Sequence, residues 1–203
     1  MTHARRRHAR AAGLLYLLTH VTSVAAVFAY GSGLVAAGVT LEFALAIGCA
    51  GTGVLMAVLL HSYGPARAAT FALLRAVEAS VILAGALPLL ATSLVPDVAE
   101  RWSETAAAVH AASFLLGQGL VISVNTIVLG WLLWDSRAVP RGLAALGIVG
   151  GTVVLASNGA QLWAVIPLNG VAAGIAAVPV FCFELWLAIH LIVVGGAVNN
   201  ATL

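Results

Sequence analysis

Long apolar stretches alternate with short polar connections along the whole chain. Windows about 19 residues wide locate six such stretches, at residues 11–30, 38–61, 69–92, 106–134, 142–166 and 174–197. A helix needs about 20 apolar residues to cross the hydrocarbon core of a bilayer. The pattern therefore predicts an all-α protein, an integral-membrane bundle of six transmembrane helices that forms a single transmembrane domain over residues 1–203.

Composition excludes a water-soluble fold. Of the 203 residues, 62% are hydrophobic and 8% are charged, whereas soluble domains carry about 25% charged residues. Six crossings use about 120 residues at about 20 residues each. No room is left for a separate catalytic or nucleic-acid-binding domain, and we expect no nucleic-acid partner.

The arginines indicate how the bundle lies in the membrane, because cytoplasmic loops carry an excess of basic residues. A cytoplasmic N-terminus leaves only Arg101 outside, in a predicted loop at 96–105. The arginines then placed inside are Arg5, Arg6, Arg7, Arg10, Arg67, Arg137 and Arg141. We therefore expect a multi-pass protein of the cell membrane with both termini in the cytoplasm. A signal peptide over the first stretch is the alternative, although a run of about 20 apolar residues exceeds a typical signal core.

Charged residues inside the predicted helices are the main candidates for function. Such a charge costs several kcal/mol unless it pairs, is neutralised or faces the bundle interior. Arg75 and Glu78 lie on one face of the third helix, Glu184 lies in the sixth helix, and Glu42 lies near the outer end of the second. Three glutamates against one arginine leave an excess of acids. We therefore expect at least one neutral carboxylic acid, which can donate a proton.

These four residues receive predicted roles. Glu78, Glu184 and Glu42 are the predicted catalytic residues, and Arg75 is predicted to orient a polar group of the substrate. The alternative for Arg75 and Glu78 is a buried ion pair that only fixes helix packing.

Further polar residues recur at helical spacing, which is what a common internal cavity requires. The other predicted substrate-binding residues are His20, His110, Gln118, Asn125, Asn158 and Gln161. The predicted topology places four site residues in the outer half of the membrane, namely Glu42, His110, Asn158 and Gln161. The cavity should therefore open outward or sideways into the outer leaflet. Ordinary interhelical hydrogen bonds are the alternative for each residue taken alone.

Metal-dependent chemistry finds little support in the sequence. The only aspartates, Asp97 and Asp135, fall in opposite connections, so no aspartate pair is available to hold a diphosphate through magnesium. The intramembrane histidines lie on four different helices, which does not fit a di-iron oxygenase. We predict no metal and no cofactor. A haem held by His61 and His190 is the alternative that remains open.

Small residues at a spacing of four predict close contacts between helices. Gly147 and Gly151 form a GxxxG pair, and Ser113 with Gly117 has the same spacing. Packing within the chain is the first interpretation, and a homodimer interface is the second.

Several stretches, taken in order, resemble a family of small bacterial multi-pass membrane proteins known as domain of unknown function 4386. The stretches that carry the resemblance are AGLLYLLT at 12–19, Leu74-Arg75 followed by Glu78-Ala79, His110 with Phe114 and Gly117, Ser136-Arg137 followed by Pro140-Arg141, and Glu184-Leu185 followed by Leu187-Ala188. The resemblance spans nearly the whole chain. It implies a six-helix bundle in a bacterial inner membrane, with Arg75, Glu78, His110 and Glu184 on the family pattern, and it implies no established activity.

Three functions fit these observations. The first is a metal-independent membrane cyclase or isomerase, in which a buried glutamic acid protonates an epoxide or alkene of a lipophilic substrate, isoprenoids included. Its likeness to membrane-bound terpene cyclases is one of layout alone. The second is a small proton-coupled transporter whose acids relay protons, and the third is a non-enzymatic membrane partner protein. The expected partners are a lipophilic small molecule and membrane lipid.

Overall fold

The computed structural model describes residues 3–195, and every regular element within them is helical. Six helical segments of this region are long and apolar enough to cross a membrane. A continuous helix satisfies its backbone hydrogen bonds internally, as hydrocarbon surroundings require. The predicted all-α bundle of six long apolar helices is confirmed. The elements are α1 His3–Gly31, α2 Val35–Leu60, a 3-10 turn His61–Tyr63, α3 Pro65–Leu94, α4 Pro96–Phe114, a π-helical segment Leu115–Val121, α5 Ile122–Ser136, α6 Arg141–Leu162 and α7 Val171–Val194.

Several helix ends differ from the predicted boundaries, because hydropathy windows locate the apolar part of a helix and not its polar ends. The loop predicted at 96–105 is wrong, since these residues form the first part of α4. Pro96 starts that helix at a position where the missing proline N–H is not needed. The fifth helix ends at Leu162 and not at residue 166, because residues 163–166 are apolar and enter the window although they form a turn. Residues 196 and 197 of the sixth predicted segment lie outside the described residues.

The helices form a closed ring. Each membrane-length segment packs against its neighbours in the chain, and α7 returns to pack against α1. The fourth segment consists of α4, the π-helical segment and α5, and all three parts contact α3. A ring of six segments leaves an interior that side chains from every segment can reach.

One end of the ring, here called the arginine-rich end, collects most of the basic residues. Arg5 Nη2 donates to the carbonyl of Leu59 at 3.0 Å, which joins the start of α1 to the end of α2. Arg67 Nη1 lies 2.5 Å from Asp135 Oδ2, which joins the start of α3 to the end of α5. The other end, here called the opposite end, carries the α1–α2, α3–α4 and α6–α7 connections.

The interior differs between the two ends. Toward the arginine-rich end, large buried apolar side chains fill the ring and form what we call the apolar plug: Met56, Leu60, Phe71, Leu129, Leu132, Leu143 and Leu187. Toward the opposite end the ring encloses cavities. Many large apolar residues point outward instead, as expected of a surface that faces lipid.

The predicted GxxxG pair is used inside the bundle. A Cβ added to Gly147 would lie 2.7 Å from the ring of Phe183 on α7, and one added to Gly151 would lie 2.8 Å from Ile127 on α5. Both glycines therefore allow α6 to approach its two neighbours. These contacts lie within one chain, and the homodimer stays a prediction.

Candidate functional site

A buried arginine lies at the centre of the first polar cluster. Arg75 and Glu78, one turn apart on α3, are each 2% exposed, and Arg75 Nη1 lies 3.0 Å from Glu78 Oε2. Thr52 on α2 accepts hydrogen bonds from Arg75 Nε at 3.1 Å and from Nη2 at 2.9 Å. The Arg75 guanidinium also lies 5.6 Å from the centre of the Tyr16 ring, within range of a cation–π interaction. The guanidinium is thus held on several sides at once.

Glu78 is surrounded by donors. Asn125 Nδ2 on α5 donates to its Oε2 at 2.7 Å, and Cys49 Sγ on α2 lies 3.6 Å from its Oε1. Together with the two contacts from Arg75, both carboxylate oxygens are occupied. This carboxyl ties α2, α3 and α5 together.

Glu184 on α7 has fewer contacts and more space. Its Oε1 lies 3.8 Å from Arg75 Nη1 and its Oε2 lies 3.8 Å from His20 Nε2 on α1, and its side chain is 11% exposed. His20 Nδ1 lies 2.9 Å from the carbonyl of Tyr16. A carbonyl only accepts, so Nδ1 carries a hydrogen. At 3.8 Å, His20 Nε2 and Glu184 Oε2 lie beyond hydrogen-bond distance of each other.

A second cluster lies nearer the opposite end. The Tyr30 hydroxyl on α1 donates to Glu42 Oε2 at 2.9 Å, and His110 Nε2 on α4 lies 2.7 Å from Glu42 Oε1. The rings of Tyr30 and His110 meet edge to face with centres 5.0 Å apart. Gly38 makes room for the Tyr30 ring, because a Cβ there would clash with it. Glu42 therefore joins α1, α2 and α4.

The amides of α6 form a third group. Gln161 Nε2 donates to Asn158 Oδ1 at 2.9 Å, and the backbone N–H of Asn169 donates to Gln161 Oε1 at 2.9 Å. Asn158 Nδ2 in turn donates to the carbonyl of Val154. These bonds secure the turn that follows α6.

Two cavities connect the clusters. The deep cavity, about 210 Å³, is lined by Arg75, Glu78, Glu184 and His20. The wide cavity, about 670 Å³, is lined by Glu42, His110, Asn158 and Gln161 and reaches the opposite end. Both are lined by the same six residues where they meet: Ser23, Leu45, Phe114, Gln118, Val154 and Ala177. The two volumes are therefore adjoining parts of one hollow, and the apolar plug lies beyond its deep end.

The structure groups the sequence-predicted residues by depth. Arg75, Glu78, Glu184 and His20 line the deep cavity, and Asn125 contacts Glu78 without lining the cavity. Glu42, His110, Asn158 and Gln161 line the wide cavity. Gln118 stands between them, and Ser23 Oγ lies 3.5 Å from its Oε1.

Some residues of the site carry no recognisable signal in the sequence. Tyr30 follows no motif, and its contact with Glu42 depends on how α1 and α2 pack. No sequence pattern predicts the π-helical segment that carries Gln118 either. Such segments often occur at functional sites.

Metal ligands do not gather in the described region. Within residues 3–195, no three histidine, cysteine, aspartate or glutamate side chains form a group that could hold a metal ion. His61 is exposed and His190 is half-buried, and neither lines the deep or the wide cavity.

Comparison with protein families identifies the chain. The model of the family described as Domain of unknown function (DUF4386) matches residues 11–195. The chain belongs to this family. The match covers all the residues of both clusters, so the site lies entirely within the family domain. No curated protein and no solved structure matches the chain significantly.

Proposed function

We propose that the chain is an integral-membrane enzyme that isomerises or cyclises a lipophilic molecule by acid catalysis, with Glu184 as the proton donor. The observation that supports this most is the position of the Glu184 carboxyl in the wall of the deep cavity, beside His20. A carboxylic acid kept neutral in a dry site is an effective proton donor.

Glu78 receives a different role in the proposal. Its oxygens are occupied by Arg75, Asn125 and Cys49, so a substrate would have to displace a donor in order to reach it. Its contacts fix Arg75, which lies 3.8 Å from Glu184. Glu78 is therefore a positioning residue. Arg75 stabilises the carboxylate that Glu184 becomes after it donates its proton.

The proposed step needs no co-reactant. Glu184 donates its proton to one carbon of an alkene, the electrons of the double bond form the new C–H bond, and the neighbouring carbon becomes cationic. The Phe114 and Phe181 rings line the deep cavity and can stabilise such a cation by up to about 2 kcal/mol each. Loss of a proton from an adjacent carbon to the Glu184 carboxylate gives a rearranged alkene and restores the acid.

The shape of the interior favours an enzyme over a carrier. The hollow runs from the opposite end to Glu184, and the apolar plug fills the ring beyond it. A carrier would have to open a path through these packed side chains. We place the arginine-rich end at the cytoplasmic face of a bacterial inner membrane, in accord with the positive-inside rule.

Mass spectrometry of molecules retained by the purified protein tests the proposal. In mild detergent, the Glu184→Gln variant should retain the unreacted substrate, whereas the wild type should retain or release an isomer of the same mass. Glu104→Gln, a matched change of an exposed residue on α4, should behave as the wild type. Chromatographically identical molecules in wild type and Glu184→Gln would contradict the proposal.

Two other results would also reject it. Uptake into proteoliposomes that depends on a pH gradient would favour a proton-coupled transporter. Co-purification with one stable protein partner, without any retained lipophilic molecule, would favour a membrane partner protein.

A further inference from the structure

The hydrogen-bonding groups of the wide cavity define a kind of ligand. His110 Nε2 makes a short contact with Glu42 Oε1, and among the described residues His110 Nδ1 and Ser157 Oγ have no hydrogen-bond partner. We infer that the wide cavity binds the uncharged, hydroxyl-bearing head of an amphipathic molecule. This inference deepens the proposed function by naming a substrate class. As a statement about binding it also holds without catalysis.

His110 offers an acceptor. Its Nε2 lies 2.7 Å from Glu42 Oε1, and within residues 3–195 its Nδ1 has no hydrogen-bond partner. When Nε2–H donates to the Glu42 carboxylate, Nδ1 of the neutral ring is a free acceptor. Because His110 lines the wide cavity, a ligand hydroxyl can donate to it.

Ser157 offers a second hydrogen-bonding group on another wall. Its Oγ is the one buried side-chain nitrogen or oxygen atom without a partner among the described residues, and the residue lines the wide cavity on α6. Leaving such a group unpaired is unfavourable, so buried polar groups nearly always have a partner. A hydroxyl both donates and accepts, so it can donate to His110 Nδ1 and can also pair with Ser157 once that side chain turns its buried Oγ toward the cavity.

Charged heads fit this cavity poorly. No arginine lies among the residues that line it, all of which belong to the described region. An anionic head would therefore meet Glu42 without any opposing cation. A cationic head would have to compete for Glu42 with Tyr30 and His110, each of which already contacts one of its oxygens.

The tail of the ligand has a defined direction. Leu45, Phe114 and Val154 line both cavities and offer an apolar passage from the wide to the deep one. Along α1, Tyr30 and His20 are separated by about 15 Å at a helical rise of about 1.5 Å per residue. A head bound near Tyr30 thus places part of its chain beside Glu184.

Retention of three matched probes tests the inference. The purified full chain in mild detergent is incubated with decanol, decanoate or decylamine and desalted, and the bound probe is quantified by mass spectrometry. We expect decanol to be retained at least about tenfold more than either charged probe, the effect of about one buried hydrogen bond. Equal or greater retention of decanoate or decylamine would overturn the inference.

Variants at His110 separate binding from folding. In His110→Gln, the amide Nε2 can still donate to Glu42, but the Nδ1 acceptor is lost, so decanol retention should fall about tenfold while the elution profile in size-exclusion chromatography is unchanged. His61→Gln, the same change at an exposed position, should retain decanol as the wild type does. Unchanged retention in His110→Gln would contradict the inference. If that variant elutes as an aggregate, His110→Phe, which keeps an aromatic ring but has no acceptor, serves as the second test with the same expected loss.

The Glu184→Gln variant distinguishes this inference from the proposed function. It should still retain decanol more than decanoate or decylamine, because the groups proposed to bind the head, His110 and Ser157, are unchanged. Normal binding without any isomerised product in the wild type would refute the enzymatic proposal and leave the binding site standing. An isomerised product from the wild type, together with equal retention of all three probes, would refute the binding inference and leave the enzymatic proposal standing.

Discussion

Removing one charge from the Arg75–Glu78 pair should destabilise the bundle far more than removing one charge from an exposed pair. Both side chains are 2% exposed and their nearest atoms lie 3.0 Å apart. Arg75→Gln leaves the Glu78 carboxylate buried beside Asn125 and Cys49 without a cation. Glu78→Gln leaves the guanidinium with the Glu184 carboxyl group at 3.8 Å, which can give up its proton and become a counter-ion.

The magnitude follows from the burial. Breaking a buried ion pair by removing one partner costs about 3–5 kcal/mol, because the remaining charge stays desolvated. We expect Arg75→Gln to lie in this range and Glu78→Gln at its lower end, since Glu184 compensates in part. The double variant should be more stable than the sum of the two losses implies, with a coupling free energy of about 2 kcal/mol.

The assay is reversible unfolding by SDS in mixed micelles, which gives a free energy of unfolding for each variant. The matched control is the pair of Arg67 and Asp135, whose side chains are 37% and 41% exposed. Arg67→Gln should cost less than about 1 kcal/mol. Losses below about 1 kcal/mol for both single changes at the buried pair, or strict additivity in the double variant, would refute the reasoning.

Three further predictions test the packing and the orientation. Gly53→Ala should destabilise the bundle by about 1–3 kcal/mol, because its Cβ would lie 2.8 Å from the Arg75 Cβ and 3.3 Å from the Ala72 carbonyl oxygen. Gly159→Ala is the control, since a Cβ there meets nothing within 4 Å. Equal unfolding free energies for the two variants would contradict the close approach of α2 and α3. Asn125→Ala removes the donor that lies 2.7 Å from Glu78, and it should lower the free energy of unfolding by about 1–3 kcal/mol. The control Ser80→Ala, on the exposed face of α3, should leave that free energy unchanged. An unchanged free energy of unfolding in Asn125→Ala would show that Glu78 does not depend on this donor. The orientation can be tested with an impermeant maleimide applied to intact cells, in a protein whose two native cysteines have been replaced. The reagent should label Val165→Cys at the opposite end and not Gly142→Cys at the arginine-rich end. The reverse pattern would refute the cytoplasmic placement of the arginines.

The fold followed from the sequence because the bilayer imposes length and polarity on each segment. Six apolar stretches sufficed to predict six helices, and the spacing of Arg75 and Glu78 sufficed to predict that they share one face of a helix. The polar ends of the helices could not be predicted in this way. Residues 96–105 are too polar for a hydropathy window to include. They are nevertheless helical, because α4 starts at Pro96 and continues without a break into its apolar part.

The site was predictable by residue type but not by grouping. Each buried charge is costly in hydrocarbon, which marked Glu42, Glu78 and Glu184 as candidates. Which partner each one meets depends on the order of helices around the ring, and that order leaves no periodic signal. The contact of Tyr30 with Glu42 is an example, because it needs both the packing of α1 on α2 and the space at Gly38.

Photo-crosslinking with a decanol that carries a diazirine in its chain tests most directly that a lipophilic molecule occupies the hollow between the two clusters. Peptide mapping after irradiation should locate the label on residues shared by both cavities, such as Phe114, Val154 and Ala177, and an excess of unlabelled decanol should suppress it. A label confined to lipid-facing positions such as Val54 and Val58, or one that excess decanol does not suppress, would contradict the account.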